Sequence, residues 1–179
     1  MPKVALINSS VQKRNYTGFV LSIVQDELSN YDISVVDVRL KEFNLPFPGE
    51  NIENDNSKKM RELLKSADAY IVGCPEYNGS FTAKLKLMVE NCGFPSVLKG
   101  KPLGLVGIAS GVLGATKSLE QQRTLFSHVG SIVLPRVVSI PNIESKFDDD
   151  GKCKSDKTES DIRLAAKNMN EFLKLINKH

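Results

Sequence analysis

The segment Gly73-Cys74-Pro75-Glu76-Tyr77-Asn78-Gly79-Ser80 places a carboxylate, a phenol and an amide directly after a short apolar run. Ala69-Tyr70-Ile71-Val72-Gly73 is too short for a helix and rich in strand formers. Pro75 has no N–H with which to continue a ladder, and Asn78-Gly79 is a strong turn signal. From Ser80 onward Phe81, Leu85, Met88, Val89 and Cys92 recur on one face of a helix that Gly93 stops, with Ser80 as the expected N-cap. Such a strand, turn and helix exposes backbone N–H groups beside the carboxyl end of a strand, where open α/β sheets bind their ligands. An ordinary βα connection has the same outline.

A second polar loop, Asn8-Ser9-Ser10-Val11-Gln12-Lys13-Arg14-Asn15-Tyr16-Thr17, runs from the first apolar run toward the first helical pattern. Hydroxyls, an amide and two cations at a helix N-terminus suit a phosphate, because N–H groups, side-chain donors and the helix dipole all favour an anion there. The alternative is a loop whose polar residues merely cap the helix. The loop lacks G-x-x-x-x-G-K-[ST] and G-x-G-x-x-G, which argues against a P-loop NTPase and a dinucleotide-fold dehydrogenase.

The elements that must position these loops alternate strand and helix, the pattern of a parallel sheet covered by helices on both faces. Strands are predicted over Lys3 to Asn8, Ile33 to Val38, Ala69 to Gly73, Pro102 to Ala109 and Ser131 to Leu134. Helices are predicted over Thr17 to Ser29, Ser57 to Ser66, Ser80 to Asn91, Gly114 to His128 and Thr158 to Asn177. In the last, Ile162, Ala165, Ala166, Met169, Phe172, Leu173 and Ile176 form one stripe, and Thr158 with Asp161 is a start signal. Gly49 to Asn56 and Ser145 to Lys157 read as linkers. Asp148-Asp149-Asp150-Gly151 reads as a solvated turn, since Lys146 stands where an EF-hand loop would begin its alternating acidic ligands.

A chain of 179 residues with 41% hydrophobic and 25% charged residues reads as one soluble globular domain over 1–179. No apolar run approaches the ~20 residues of a transmembrane helix, and the strand pattern starts at Lys3 with no room for a signal peptide, so a cytoplasmic location is expected. The net charge of +3 comes from both signs spread along the chain without a basic stripe, which argues against a nucleic-acid partner. Cys74, Cys92 and Cys153 lack metal-ligand spacing, and neither His128 nor His179 has a ligand neighbour in sequence, so no metal site is expected. Cys74 and Cys92 read as core packing.

Gly73 to Ser80, followed by Phe81-Thr82-Ala83-Lys84-Leu85-Lys86, resembles the signature segment of the NAD(P)H-dependent FMN reductase family. The resemblance extends over nearly the whole chain through the Ser-rich first loop, a Gly-rich loop at Ala109-Ser110-Gly111-Val112-Leu113-Gly114, and the Asp-Asp-Gly segment. It implies a flavodoxin-like three-layer αβα sandwich with a five-stranded parallel sheet in the order 2-1-3-4-5. It also implies FMN as cofactor, NADPH or NADH as hydride donor, and quinones, azo compounds, free flavin or metal ions as acceptors.

By the same resemblance Ser10, Gln12, Arg14, Asn15, Tyr16 and Thr17 belong to the FMN phosphate loop. Pro75, Glu76, Tyr77, Asn78 and Gly79 would line the ring, and Ser110 and Gly111, with Gly114, would approach it from the neighbouring strand end. The family usually has Gly-Ser-x-Arg in the first loop. Here Ser9 replaces the glycine and Gln12 the arginine, so Lys13 or Arg14 is expected to supply the missing charge. No side-chain acid or nucleophile is expected, because the cofactor carries the chemistry. A homodimer or homotetramer, with a neighbour closing each site, follows from the resemblance as well. Two other readings share the fold: a flavodoxin-like electron carrier, disfavoured by the mild basicity, and a flavin-free regulatory module.

Overall fold

In the computed structural model, which describes residues 1–176, a parallel sheet runs in the order β2-β1-β3-β4-β5, flanked by helices. In chain order the elements are β1 (Lys3–Asn8), α1 (Tyr16–Ser29), β2 (Ser34–Arg39), α2 (Ser57–Lys65), β3 (Ala69–Pro75), α3 (Ala83–Glu90) and β4 (Pro102–Ile108). They continue with α4 (Thr116–His128), β5 (Ile132–Val133), β6 (Val138–Ile140), α5 (Ile143–Lys146) and α6 (Asp156–Ile176). Asn177, to which the sequence pattern extends the last helix, and His179 lie outside the described residues.

Alternation along the strands makes the two cores. Val4, Leu6, Ala69, Ile71, Val106 and Ile108 pack beneath α1 and α6. Ala5, Ile7, Tyr70, Val72, Cys74, Leu103 and Leu105 point to the other face, where Met60, Leu64, Leu85, Met88, Leu119 and Phe126 cover them. Glycines at two strand ends let helices settle close to the sheet. A Cβ on Gly73 would lie 2.8 Å from Thr17 Cγ2, and one on Gly107 would lie 2.6 Å from Ala115 Cβ. The N-termini of α1 and α4 therefore approach the carboxyl ends of β3 and β4.

The fifth strand position differs from expectation. It is filled in two pieces, since Ile132 and Val133 pair with Pro102 and Leu103 while Val138 to Ile140 pair with Val106 to Ile108. Pro135, which has no N–H, falls in the break. β3 runs on through Cys74 to Pro75, and the next residue, Glu76, still donates its N–H to Ile108 O of β4. Ser145 to Lys157 is no linker: it holds the end of α5, a Phe147↔Cys153 bridge, the buried Phe147 and the start of α6. The Asp148–Gly151 turn is closed by its own backbone, with Gly151 N donating to Asp148 O at 3.3 Å.

Candidate functional site

A cleft opens over the carboxyl ends of β1, β3 and β4. Its larger part, about 730 Å³, lies between Ser10, Gln12, Arg14, Tyr16 and Thr17 on one side and Pro75, Glu76, Tyr77 and Ser110 on the other. The adjoining part, about 420 Å³, shares Glu76, Tyr77 and Ser110 and adds Asn78, Gly79 and Gly111. Three loops distant in sequence thus meet because their strands are adjacent in the sheet.

Asn15 stands apart from the other residues expected there. Its Oδ1 accepts from Gly18 N at 2.9 Å as the cap of α1, and the side chain lines a separate groove beside β2. Glu144, which the sequence pattern did not single out, joins the cleft and accepts from Ser110 Oγ at 3.0 Å. Its four-residue helix is too short to show a period.

The first loop is rich in unused donors. Among the described residues, the N–H groups of Val11, Lys13, Arg14, Tyr16 and Thr17 meet no protein acceptor, whereas Ser10 N donates to Asn8 Oδ1 and Gln12 N to Ser10 Oγ. Of the two cations expected to neutralise a phosphate, Lys13 or Arg14, Arg14 already has protein partners. Its guanidinium donates to Asp149 Oδ1 at 2.9 Å and to Asp148 O at 3.3 Å, and lies 5.1 Å from the centre of the Tyr16 ring. The bond to Asp149 raises its pKa further, so it stays charged. Arg14 is 50% and Asp149 93% exposed, so solvent screens the pair and a competing anion can divide it. Lys13 forms no ion pair among the described residues.

The second loop is built more rigidly. Tyr77 N donates to Ser80 O at 2.9 Å and Ser80 N to Tyr77 O at 3.0 Å, closing a two-residue turn on Asn78 (φ 52°) and Gly79 (φ 74°). Both positive φ values suit the Asn-Gly pair. The N-cap of α3 is Thr82, whose Oγ1 accepts from Leu85 N at 3.1 Å, not the expected Ser80, which is held in the turn. The same hydroxyl donates to Ser9 O at 3.3 Å and so ties the first two loops together. Cys74 lies buried beneath them and accepts from Thr82 N at 3.5 Å; burial pushes its thiol up, which suits packing and not nucleophilic use. Cys92 is likewise buried, its thiol pushed up to about 12.

Glu76 joins the second loop to the third. Its N–H donates to Ile108 O at 2.8 Å, and its Oε2 accepts from Ser118 N at 3.0 Å in the first turn of α4. In the third loop a Cβ on Gly111 would meet nothing within 4 Å, so the backbone there faces open space.

A family model described as NADPH-dependent FMN reductase matches residues 2–145. An FMN-dependent NADPH-azoreductase of Staphylococcus aureus is 25% identical over 168 residues, covering 90% of this chain and 88% of the relative. Among solved structures, the flavoenzyme NAD(P)H:(acceptor) oxidoreductase FerB from Paracoccus denitrificans superposes with a TM-score of 0.77 at 19% identity, over 100% of this chain and 99% of that one. An FMN-dependent NADH-azoreductase from Bacillus anthracis in complex with FMN superposes with a TM-score of 0.64 at 12% identity, over 97% of this chain and 99% of the other.

Proposed function

The chain belongs to the NADPH-dependent FMN reductase family, and from that premise we propose that the cleft over β1, β3 and β4 is its flavin site. The protein is an FMN-dependent oxidoreductase that uses NAD(P)H, with azo compounds or flavins as acceptors. The observation that carries the site assignment is the distribution of unused donors. The first loop offers the N–H groups of Val11, Lys13, Arg14, Tyr16 and Thr17 at the N-terminus of α1, a set suited to a phosphate. Some distance along the same cleft, the N–H groups of Asn78, Gly79, Ser110 and Gly111 also lack protein acceptors among the described residues, a set suited to the carbonyls and ring nitrogens of an isoalloxazine. Gly111 leaves unfilled the space that a side chain would occupy.

Bound FMN supplies the redox chemistry. Ser10 and Thr17 hydroxyls and the α1 N-terminus hold the phosphate, and Lys13 or Arg14 balances its charge. Pro75 to Gly79 form one wall of the ring slot, with Tyr77 at its mouth, and Ser110 and Gly111 form the other. Asn15 acts indirectly, by fixing the first turn of α1.

On the same reading residues 1–179 are one flavin-binding domain, and a second copy of the chain closes the mouth of each site. Support for the dimer comes from the exposed Phe94, Val112 and Leu113. A cytoplasmic location accords with the free thiols of Cys74, Cys92 and Cys153. No helix among the described residues is long and apolar enough to cross a membrane.

Titration of the purified protein with FMN by fluorescence quenching, followed by assay of NADPH oxidation against an azo dye and against free flavin, tests the reading. Quenching with saturation, and turnover of either acceptor, is expected. A protein that leaves FMN fluorescence unchanged would remove it.

A further inference from the structure

The backbone N–H groups of Tyr77 and Ser80 close the turn only on itself, and a two-residue hairpin is marginal in water. Its attitude toward the sheet must be set from outside. α4 does this at two points one helical turn apart. Ser118 N donates to Glu76 Oε2 at 3.0 Å, and the Gln121 side chain uses both ends of its amide, Nε2 donating to Gly79 O at 2.9 Å and Oε1 accepting from Ser80 Oγ at 2.6 Å. The Gly79 carbonyl fixes the amide orientation, because a flipped amide would set two acceptors against each other.

The same helix grows out of the opposite wall. Gly114 N donates to Gly111 O at 3.3 Å and Ala115 N to Ser139 Oγ at 3.0 Å, immediately before α4 begins. One wall of the slot is therefore continuous with α4, and the other is hydrogen-bonded to it. We propose that Gln121 is a positioning residue that sets the width of the ring slot, holding the Asn78-Gly79 turn at a fixed distance from the Ser110-Gly111 wall. It touches neither cofactor nor substrate on this account; it acts through Gly79 and Ser80. The proposal rests on the reading that the cleft binds FMN.

Because Gln121 is exposed, its loss should leave the fold nearly intact while loosening the slot. The test is fluorescence titration of wild type, Gln121→Leu, Ser80→Ala, the double variant and Gln121→Lys with FMN and with riboflavin, alongside thermal melts. Gln121→Leu should weaken both flavins by about tenfold and equally, since two hydrogen bonds are lost at the ring and none at the phosphate. Its Tm should stay within about 2 °C of wild type, as for a surface substitution. Ser80→Ala should cost a smaller factor alone and nothing further in the Gln121→Leu background. Gln121→Lys keeps a donor for Gly79 O and should recover most of the affinity. Unchanged flavin affinity in Gln121→Leu, a loss confined to FMN, or a fall in Tm that Gln121→Lys does not reverse would overturn the proposal. Wild type that binds neither flavin would instead overturn the assignment of the cleft.

Discussion

The two ends of the cleft are held in different ways. At the end proposed to hold the ring, Glu76, the Tyr77–Ser80 turn and the first two turns of α4 form one hydrogen-bonded unit, with Asn78 and Gly79 carrying the positive φ values of the turn. At the end proposed to hold the phosphate, backbone donors stand open and Arg14, one of the two cations in the first loop, leans on an exposed carboxylate. The ring end is preorganised, so binding there costs little further ordering. The phosphate end must exchange one partner for another. Shape at one end and charge at the other should thus respond to different substitutions, and riboflavin, which lacks the phosphate, separates them.

The largest effect is expected from Gly79→Val. A β-branched residue at φ 74° is strained whatever the surrounding space, so the turn should rearrange. Affinity for FMN and riboflavin should both fall by about a hundredfold or more, with a modest drop in Tm. Retained affinity in the folded variant, measured by fluorescence quenching, would show that the ring end is not where the flavin lies.

Arg14→Ala should act at the other end alone. FMN binding is expected to weaken by about tenfold, in line with loss of one charge-assisted contact at a screened site, with riboflavin unchanged. Asp149→Asn releases Arg14 from its partner and should tighten FMN by about threefold. Gln12→Arg, which restores the cation usual in the family, should also tighten it. Equal changes for riboflavin in these variants would mean that Ser10 to Thr17 do not hold the phosphate.

The smallest effect concerns the anchoring of α1, which follows the first loop. Tyr31 Oη donates to Glu27 Oε1 at 2.7 Å and Arg163 Nη1 to Oε2 at 3.2 Å, so the Glu27 carboxyl, buried between α1 and α6, titrates below its ordinary range, chiefly through the Tyr31 bond. A carboxyl depressed in the folded state stabilises above its unfolded pKa, and that contribution disappears as pH falls through the folded value. Between pH 6 and pH 3 the wild-type Tm should therefore fall about 2–4 °C further than that of Glu27→Gln. Parallel curves would show that the pair does not anchor α1.

Much of the scaffold is legible in the chain itself because it depends on local pattern. β1 lies where its apolar run predicts, and the buried stripe of α6 includes Ile162, Ala165, Ala166, Met169 and Leu173. Errors arise where long-range partners decide. Thr82 displaces Ser80 as the α3 cap because Ser80 is engaged in the turn and by Gln121, forty-one residues away. β6 is short and follows a proline, so no periodicity reveals it. In the site, loop chemistry identifies the residues flanking the cleft, whereas Glu144, Ser118 and Gln121 depend on contacts that only the folded chain creates. Arg14 is the clearest case. Its type and place suggest a phosphate partner, but its observed partner is Asp149, 135 positions away.

On the proposed assignment, this cleft holds FMN and gives nicotinamide access to it. Anaerobic titration of the FMN-loaded protein with NADPH, followed by visible absorbance, tests it most directly. The bound flavin's absorbance should bleach in proportion to NADPH added and return when an azo dye or free flavin is supplied. Flavin that binds but keeps its absorbance through excess NADPH and NADH, or protein that fails to retain FMN at all, would contradict it.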